Sequence, residues 1–295
     1  MSLSRTWRTD RLTGWHLLAA IVMAALGVYA TADAWADIYV IARKDEEYSH
    51  IFLVPIVAIW MIWVRRMRFR HCKPSFTTLG PITVAAGWWA SWYGFNHNVQ
   101  ALWHGGAVLV VLGCMLAVLG KNVVFRFFPA IAVLIFLVPV PGQIRQAISL
   151  PLQTWTARAA QTGLAILGID TEVSGNVMSI NGTPVTFAEA CNGMRMVFPL
   201  ILIAYAFSFG LPLRNSVRFL VLLASPLTAL ACNVLRTLPT IWLYGNESRQ
   251  VADKFHSYSG WMMLPIAFFS LMAIIKLLRW AMLPVTRYPL ASQYV

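Results

Sequence analysis

Charge is scarce in this chain. Only 12% of its 295 residues are charged, while 59% are hydrophobic. Ordinary soluble domains are roughly a quarter charged, so this composition is too apolar for one. Cysteine is scarce as well. The four thiols, Cys72, Cys114, Cys191 and Cys232, include no Cys-x-x-Cys pair and are too few for a disulfide scaffold. Acidic residues number 11 against 23 basic ones. There is no internal repeat and no low-complexity tract.

What is abundant is apolar sequence in segments of roughly 20 residues, the span of a bilayer hydrocarbon core. Eight such spans are expected: 14–34, 48–65, 79–95, 99–119, 122–141, 193–213, 217–244 and 258–283. The first lacks a small-residue cleavage site and reads as a true span rather than a signal peptide. The expected fold is an all-α integral membrane protein, a polytopic bundle of about eight transmembrane helices forming a single domain over 1–295.

The net charge of +12 is distributed as a topology signal. With a cytoplasmic N-terminus, the inner loops hold Arg5, Arg8, Arg11, Arg65, Arg66, Arg68, Arg70, Lys73, Lys121, Arg126, Arg214, Arg218, Lys276, Arg279 and Arg287. Those are 15 of the 23 basic residues, and Asp10 alone of the acids joins them. This is the positive-inside pattern, with both termini inside. The bilayer, not nucleic acid, is the partner that such a charge pattern implies.

The longest non-spanning segment, 142–190, falls on the outer side. It opens after "VPVPG", whose prolines end the fifth span. In "QIRQAISLPLQTWTARAAQTGLAILG", Ile144, Ala147, Ile148, Leu152 and Trp155 recur at helical spacing. That pattern suits an outward interfacial helix bent at Pro151. Next, Asn181-Gly182 lies between two runs containing Val, Ile, Thr and Phe, a signal for a short β-hairpin. The hairpin delivers the chain to Glu189 and Cys191, and an extended substrate could pair along it.

Cys191 is thereby placed at the outer boundary, just before the sixth span. A helix N-terminus carries partial positive charge. With Arg195 one turn on, that placement favours the thiolate. Arg236 is a second intramembrane arginine, with Asn233 one turn before it. A charge inside a span is costly and marks a functional position by default. His256 falls in the loop "NESRQVADKFHSYSGW", just before the eighth span. Thiol, imidazole and guanidinium form an acyl-transfer set. The thiolate attacks a carbonyl, the imidazole moves the proton, and an arginine stabilises the oxyanion. Blander roles remain: a passive boundary thiol at Cys191, a solvated His256, and an ion pair of Arg236 with Glu189, Glu247 or Asp253. His50, beside Glu47, is the second candidate base. The outer histidines His50, His97, His104 and His256 follow no ligand spacing, so neither a metal nor another cofactor is expected.

At these residues the chain resembles the exosortase and archaeosortase family. The matching pieces are "EACNGMR" at 189–195, "NVLR" at 233–236 and His256, with "EEYSH" at 46–50 and "FLVPVPGQIRQAISLPLQ" at 136–153. Asn192 departs from the serine more often expected there. The resemblance implies a cysteine transpeptidase of the bacterial inner membrane, multi-pass, with its site on the outer face. Its substrates would be membrane-anchored exported proteins with a C-terminal sorting helix, as in PEP-CTERM systems tied to exopolysaccharide. It implies catalytic roles for Cys191, Arg236 and His256. Arg195, Glu189, Asn233 and His50 would support them or bind substrate. Two rival readings remain: a quinone-linked thiol–disulfide oxidoreductase using Cys191 and Cys232, and an anion transporter using Arg195 and Arg236.

Overall fold

The computed structural model describes residues 12–75, 77–174, 177–180, 183–186 and 194–280. The chain divides into two compact units, Met1–Pro141 and Gly142–Val295.

In the first unit, α1 (Gly14–Ala30) and α2 (Ala32–Lys44) meet at an 82° bend. The sequence-predicted span 14–34 is therefore two helices. The break falls at Thr31, whose hydroxyl donates to Gly27 O at 2.8 Å and accepts from the Trp35 indole at 3.0 Å. Both bonds tie the Thr31 side chain to the two turns that meet at the break. A 3₁₀ segment, Glu46–Phe52, then leads into α3 (Leu53–Val64). The Asp45 carboxylate caps that segment by accepting from Glu47 N at 3.0 Å.

Helices α4 (Leu79–Asn96) and α5 (Gln100–Leu119) approach backbone to backbone. A Cβ added at Gly87 would stand 2.8 Å from Gly106 O, and one added at Gly106 would collide with Ser91 N. Small residues at membrane helix interfaces permit this approach, since apolar side chains gain little by leaving lipid for one another. The span expected over 122–141 is instead broken into α6 (Lys121–Arg126), α7 (Phe128–Ala132) and a 3₁₀ segment, Val133–Leu137. Pro129 explains the break: it lacks an N–H, and its ring excludes the carbonyl four residues back.

In the second unit, α8 (Gly142–Ile166) runs through Pro151. Its expected apolar stripe is exposed at Ile144, Ile148 and Trp155, while a different face, Thr156, Ala157, Ala160 and Leu164, is buried. Three strands follow: β1 (Thr171–Ser174), β2 (Val177–Ile180) and β3 (Thr183–Thr186), antiparallel in that order. The expected hairpin is the β2–β3 pair, with Ile180 opposite Thr183 across two intervening residues. The preceding pair, Ser174 opposite Val177, makes it a three-stranded sheet. On β2, Met178 and Ile180 are buried and alternate with half-buried Val177 and Ser179, the period of two that a one-sided sheet requires.

The remaining helices are α9 (Met194–Gly210), α10 (Asn215–Asn246) and α11 (Arg249–Trp280). Val197, Leu200, Ala229, Cys232, Ala267 and Leu271 form one buried cluster among them. The sheet packs on a second, with Met178 and Ile180 against Ala157, Ala160, Leu164 and Ile241.

Among the described residues, four helical stretches can cross a bilayer by length and composition: Glu47–Val64, Gln100–Leu119, Asn215–Asn246 and Arg249–Leu277. The count rises to six if each of two bent pairs is one crossing. The eight expected spans exceed this. One reason is that α9 has only 17 residues and the 122–141 stretch is broken. The chain is nonetheless a multi-pass membrane protein.

Candidate active site

Helix α10 carries the best-defined part of the candidate site. It has 32 residues, about 48 Å at about 1.5 Å per residue, against a hydrocarbon core of about 30 Å. A crossing that starts at Val217 spends about 20 residues and ends near Arg236. On that count Arg236 would lie at the end of the crossing, with the last turns of α10 beyond it.

Arg236 is 2% exposed and Asn233 1%. The Arg236 Nη2 donates to Asn233 Oδ1 at 3.2 Å, and Asn233 Nδ2 donates to Thr156 Oγ1 on α8 at 3.4 Å. The amide therefore faces both ways, holding the guanidinium with its oxygen and α8 with its nitrogen. The hydroxyls of Thr237 and Thr240 donate to the carbonyls of Asn233 and Arg236, each at 2.7 Å, and so are committed to the backbone. Thr156 is a participant the sequence did not disclose. A threonine on an amphipathic helix has no marker that distinguishes it until α8 meets α10.

His256 lies on α11 and is half-buried. The expected loop position is corrected: α11 begins at Arg249, so His256 is in its second turn. The Ser248 carbonyl accepts from Val251 and Ala252 N, which starts the helix there. Only Glu247 and Ser248 separate α10 from α11, and the two helices pack together as antiparallel neighbours. Tyr244 Oη donates to Asp253 Oδ1 at 2.6 Å and pins that end. Asp253, one of the expected ion-pair partners of Arg236, is thereby engaged by a tyrosine. From this pin, Arg236 lies about 12 Å down α10 and His256 about 4.5 Å down α11.

Cys191 and Glu189 lie outside the described residues. Arg195 lies in the first turn of α9, its side chain likewise outside the description. Helix α9 packs on both α10 and α11 and joins α10 through 211–214. Counted back from that turn at about 1.5 Å per residue, Met194 stands level with about residue 231 of α10. Cys191 precedes Met194 by three residues.

His50 belongs to the other unit. It is buried, and its Nδ1–H donates to the Glu47 backbone carbonyl at 3.1 Å. That bond leaves Nε2 as the lone-pair nitrogen of the neutral ring. The neighbouring Tyr48 donates to Val140 O at 2.9 Å, so the "EEYSH" and "VPVPG" pieces are tied together. Sequence reading also missed the pair of His104 Nε2 and Asp37 Oδ2 at 3.0 Å, with His104 fully buried. An acid and a histidine 67 residues apart give no local signal.

Among the remaining thiols, Cys72, Cys114 and Cys232 are free and buried. Cys232 packs in the α9–α10–α11 cluster. Cys72, outside the spans, has its thiol pKa pushed up by burial, partly offset by the Arg126 charge.

In comparisons with known proteins, residues 35–273 match the family model described as transmembrane exosortase (Exosortase_EpsH). Neither curated proteins nor solved structures returned a match.

Proposed function

The chain belongs to the transmembrane exosortase family, a family of membrane cysteine transpeptidases, and on that premise we propose that it cleaves C-terminal sorting signals of exported proteins through a thioester at Cys191. The observation that carries the reading is the buried Thr156–Asn233–Arg236 relay between α8 and α10. The helix that follows Cys191 and the helix that bears His256 both pack against α10.

The proposed sequence begins with proton transfer from the Cys191 thiol to His256. The thiolate attacks the scissile carbonyl: a C–S bond forms and the π pair moves onto oxygen. Arg236 stabilises that oxyanion, since a guanidinium cannot act as a base at ordinary pH. Collapse re-forms the carbonyl and breaks the C–N bond. His256 returns its proton to the leaving nitrogen, and the sorting helix departs with a free amine. An acceptor nucleophile then attacks the thioester, transfers the acyl group and regenerates the thiol. Arg195 would support the thiolate. The substrate helix would reach the site laterally through the bilayer, and its PEP-CTERM-like motif would lie beside Cys191. An extended segment could add to β3, the edge strand that leads toward Cys191, although Pro184 removes one donor from that edge. The proposed location is the bacterial inner membrane, with the site on its outer face.

The disulfide alternative gains no support from Cys232, which is buried among apolar side chains. The deciding experiment is co-expression with a tagged candidate substrate, read as a mass shift. Cys191→Ala and Cys191→Ser should abolish the shift while the protein still inserts. Cys232→Ala should preserve it. Loss of activity on Cys232→Ala, with a redox-sensitive mobility change, would establish the rival.

A further inference from the structure

A cavity of about 150 Å³ in the Met1–Pro141 unit has a chemistry that transpeptidation does not use. Three tryptophans line it, Trp88, Trp92 and Trp103, together with Phe95. Phe95 and Trp103 stand edge to face at 5.3 Å, and Trp103 stacks on the buried His104 at 4.9 Å, so this wall is preorganised. Trp88, Trp92 and Phe95 follow helical spacing on α4 and are each more than half exposed.

The polar lining is small and mostly committed. The Thr31 hydroxyl donates to Gly27 O and accepts from Trp35. The Ser91 hydroxyl donates to Trp103 O at 3.0 Å. That leaves Asp33 as the charged group of the lining, and among the described residues it has no hydrogen-bond or ion-pair partner. An acid in the first turn of a helix is ordinarily explained by the helix dipole. The aromatic residues gathered around the exposed Asp33 are what that explanation leaves out. Aromatic faces and a carboxylate both present negative potential, so the complementary guest is a cation with a small apolar shell.

We propose that this cavity holds the ammonium headgroup of an aminophospholipid. Asp33 accepts from the ammonium N–H, and the tryptophans cover its methylenes. The position favours a lipid source. The cavity lies where α1 ends, where α4 ends and where α5 begins, the level at which tryptophans meet headgroups. At about 150 Å³ the cavity suits a headgroup and is too small for a membrane helix.

The test uses the full chain in micelles doped with equimolar phosphatidylethanolamine and phosphatidylglycerol, with retained lipid counted by native mass spectrometry. The wild-type protein should retain phosphatidylethanolamine in roughly tenfold preference. Asp33→Asn and Trp92→Ala should each reduce the preference to parity, and Trp92→Phe should keep most of it. Unchanged thermal stability would show that these variants still fold. Three results would overturn the proposal: equal retention of the two lipids by wild type, an undiminished preference in Asp33→Asn, or retention of diacylglycerol equal to that of phosphatidylethanolamine. The last would make the cavity an acyl-chain slot.

Discussion

Arg236 donates from Nη2 to Asn233 Oδ1 at 3.2 Å, a bond between side chains one turn apart on the buried face of α10. A guanidinium held this way has lost part of its rotamer freedom before substrate arrives. Preorganisation of this kind is what makes an oxyanion donor effective, because no reorganisation is needed during reaction. Arg236→Ala should lower processing by about 100- to 1,000-fold, the typical effect of losing one such donor. Arg236→Lys keeps the charge but loses the planar fork and should also be impaired. Turnover near wild type in Arg236→Ala, measured on a tagged substrate, would reassign the residue to a structural role.

Thr156 tests the same relay from its far end. Thr156→Val keeps the volume and burial but removes the acceptor for Asn233 Nδ2. A typical net hydrogen bond is worth about 1 kcal/mol, so kcat should fall roughly fivefold. Thr156→Ser should recover most of it. If the role were only packing, Val would match Thr in kcat and Ser would be the worse variant.

The relay shows where sequence reasoning reaches and where it stops. Arg236 and Asn233 stood out because a charge or amide in an apolar run has few innocent explanations, and the structure buries both. The β2–β3 hairpin was legible because Asn181-Gly182 encodes a two-residue turn locally. Thr156 and Asp37 were not, since their partners lie 77 and 67 residues away and only tertiary packing pairs them. Span boundaries failed for a different reason. Hydropathy counts apolar residues but does not see that Thr31 bonds back to Gly27 or that Pro129 interrupts a ladder. The start of α11 was missed because "SRQVADKFH" is polar, and polarity was read as loop. A helix that extends beyond the bilayer can be as polar as any surface helix.

Cys72 offers a pH test with a defined sign. Burial raises its thiol pKa, and Arg126 works in the opposite direction. At neutral pH its thiolate fraction should therefore be below that of a free thiol, and alkylation slow. Reactivity should rise only as pH passes the raised value. Neutral-thiol burial contributes stability below the ordinary thiol pKa, and that contribution is lost as pH climbs through the raised one. Arg126→Ala should shift the profile further to alkaline pH. A variant retaining Cys72 alone, alkylated across pH, gives the measurement. A rate at neutral pH equal to that of a free thiol, or an acid-ward shift in Arg126→Ala, would contradict this assignment.

Gly245 and Ile180 test whether the sheet's seat on α10 matters to the site. Any Cβ at Gly245 would overlap the Ile180 side chain, and Ile180 is wholly buried. The strand is thus seated where α10 has no side chain, nine residues beyond Arg236. From β3 the chain runs on toward Cys191, so a displaced sheet should misplace the proposed nucleophile relative to Arg236. Gly245→Val should cost about 1–3 kcal/mol of stability by overpacking. It should also lower processing more than it lowers the amount of folded protein. Ile180→Ala alone should leave a cavity and destabilise. Combined with Gly245→Val, it gives the new methyl groups a place to go. The two changes should therefore be strongly non-additive, with the double variant more active than Gly245→Val alone. Strictly additive losses in stability and processing would show that Gly245 and Ile180 do not form the contact that seats the sheet.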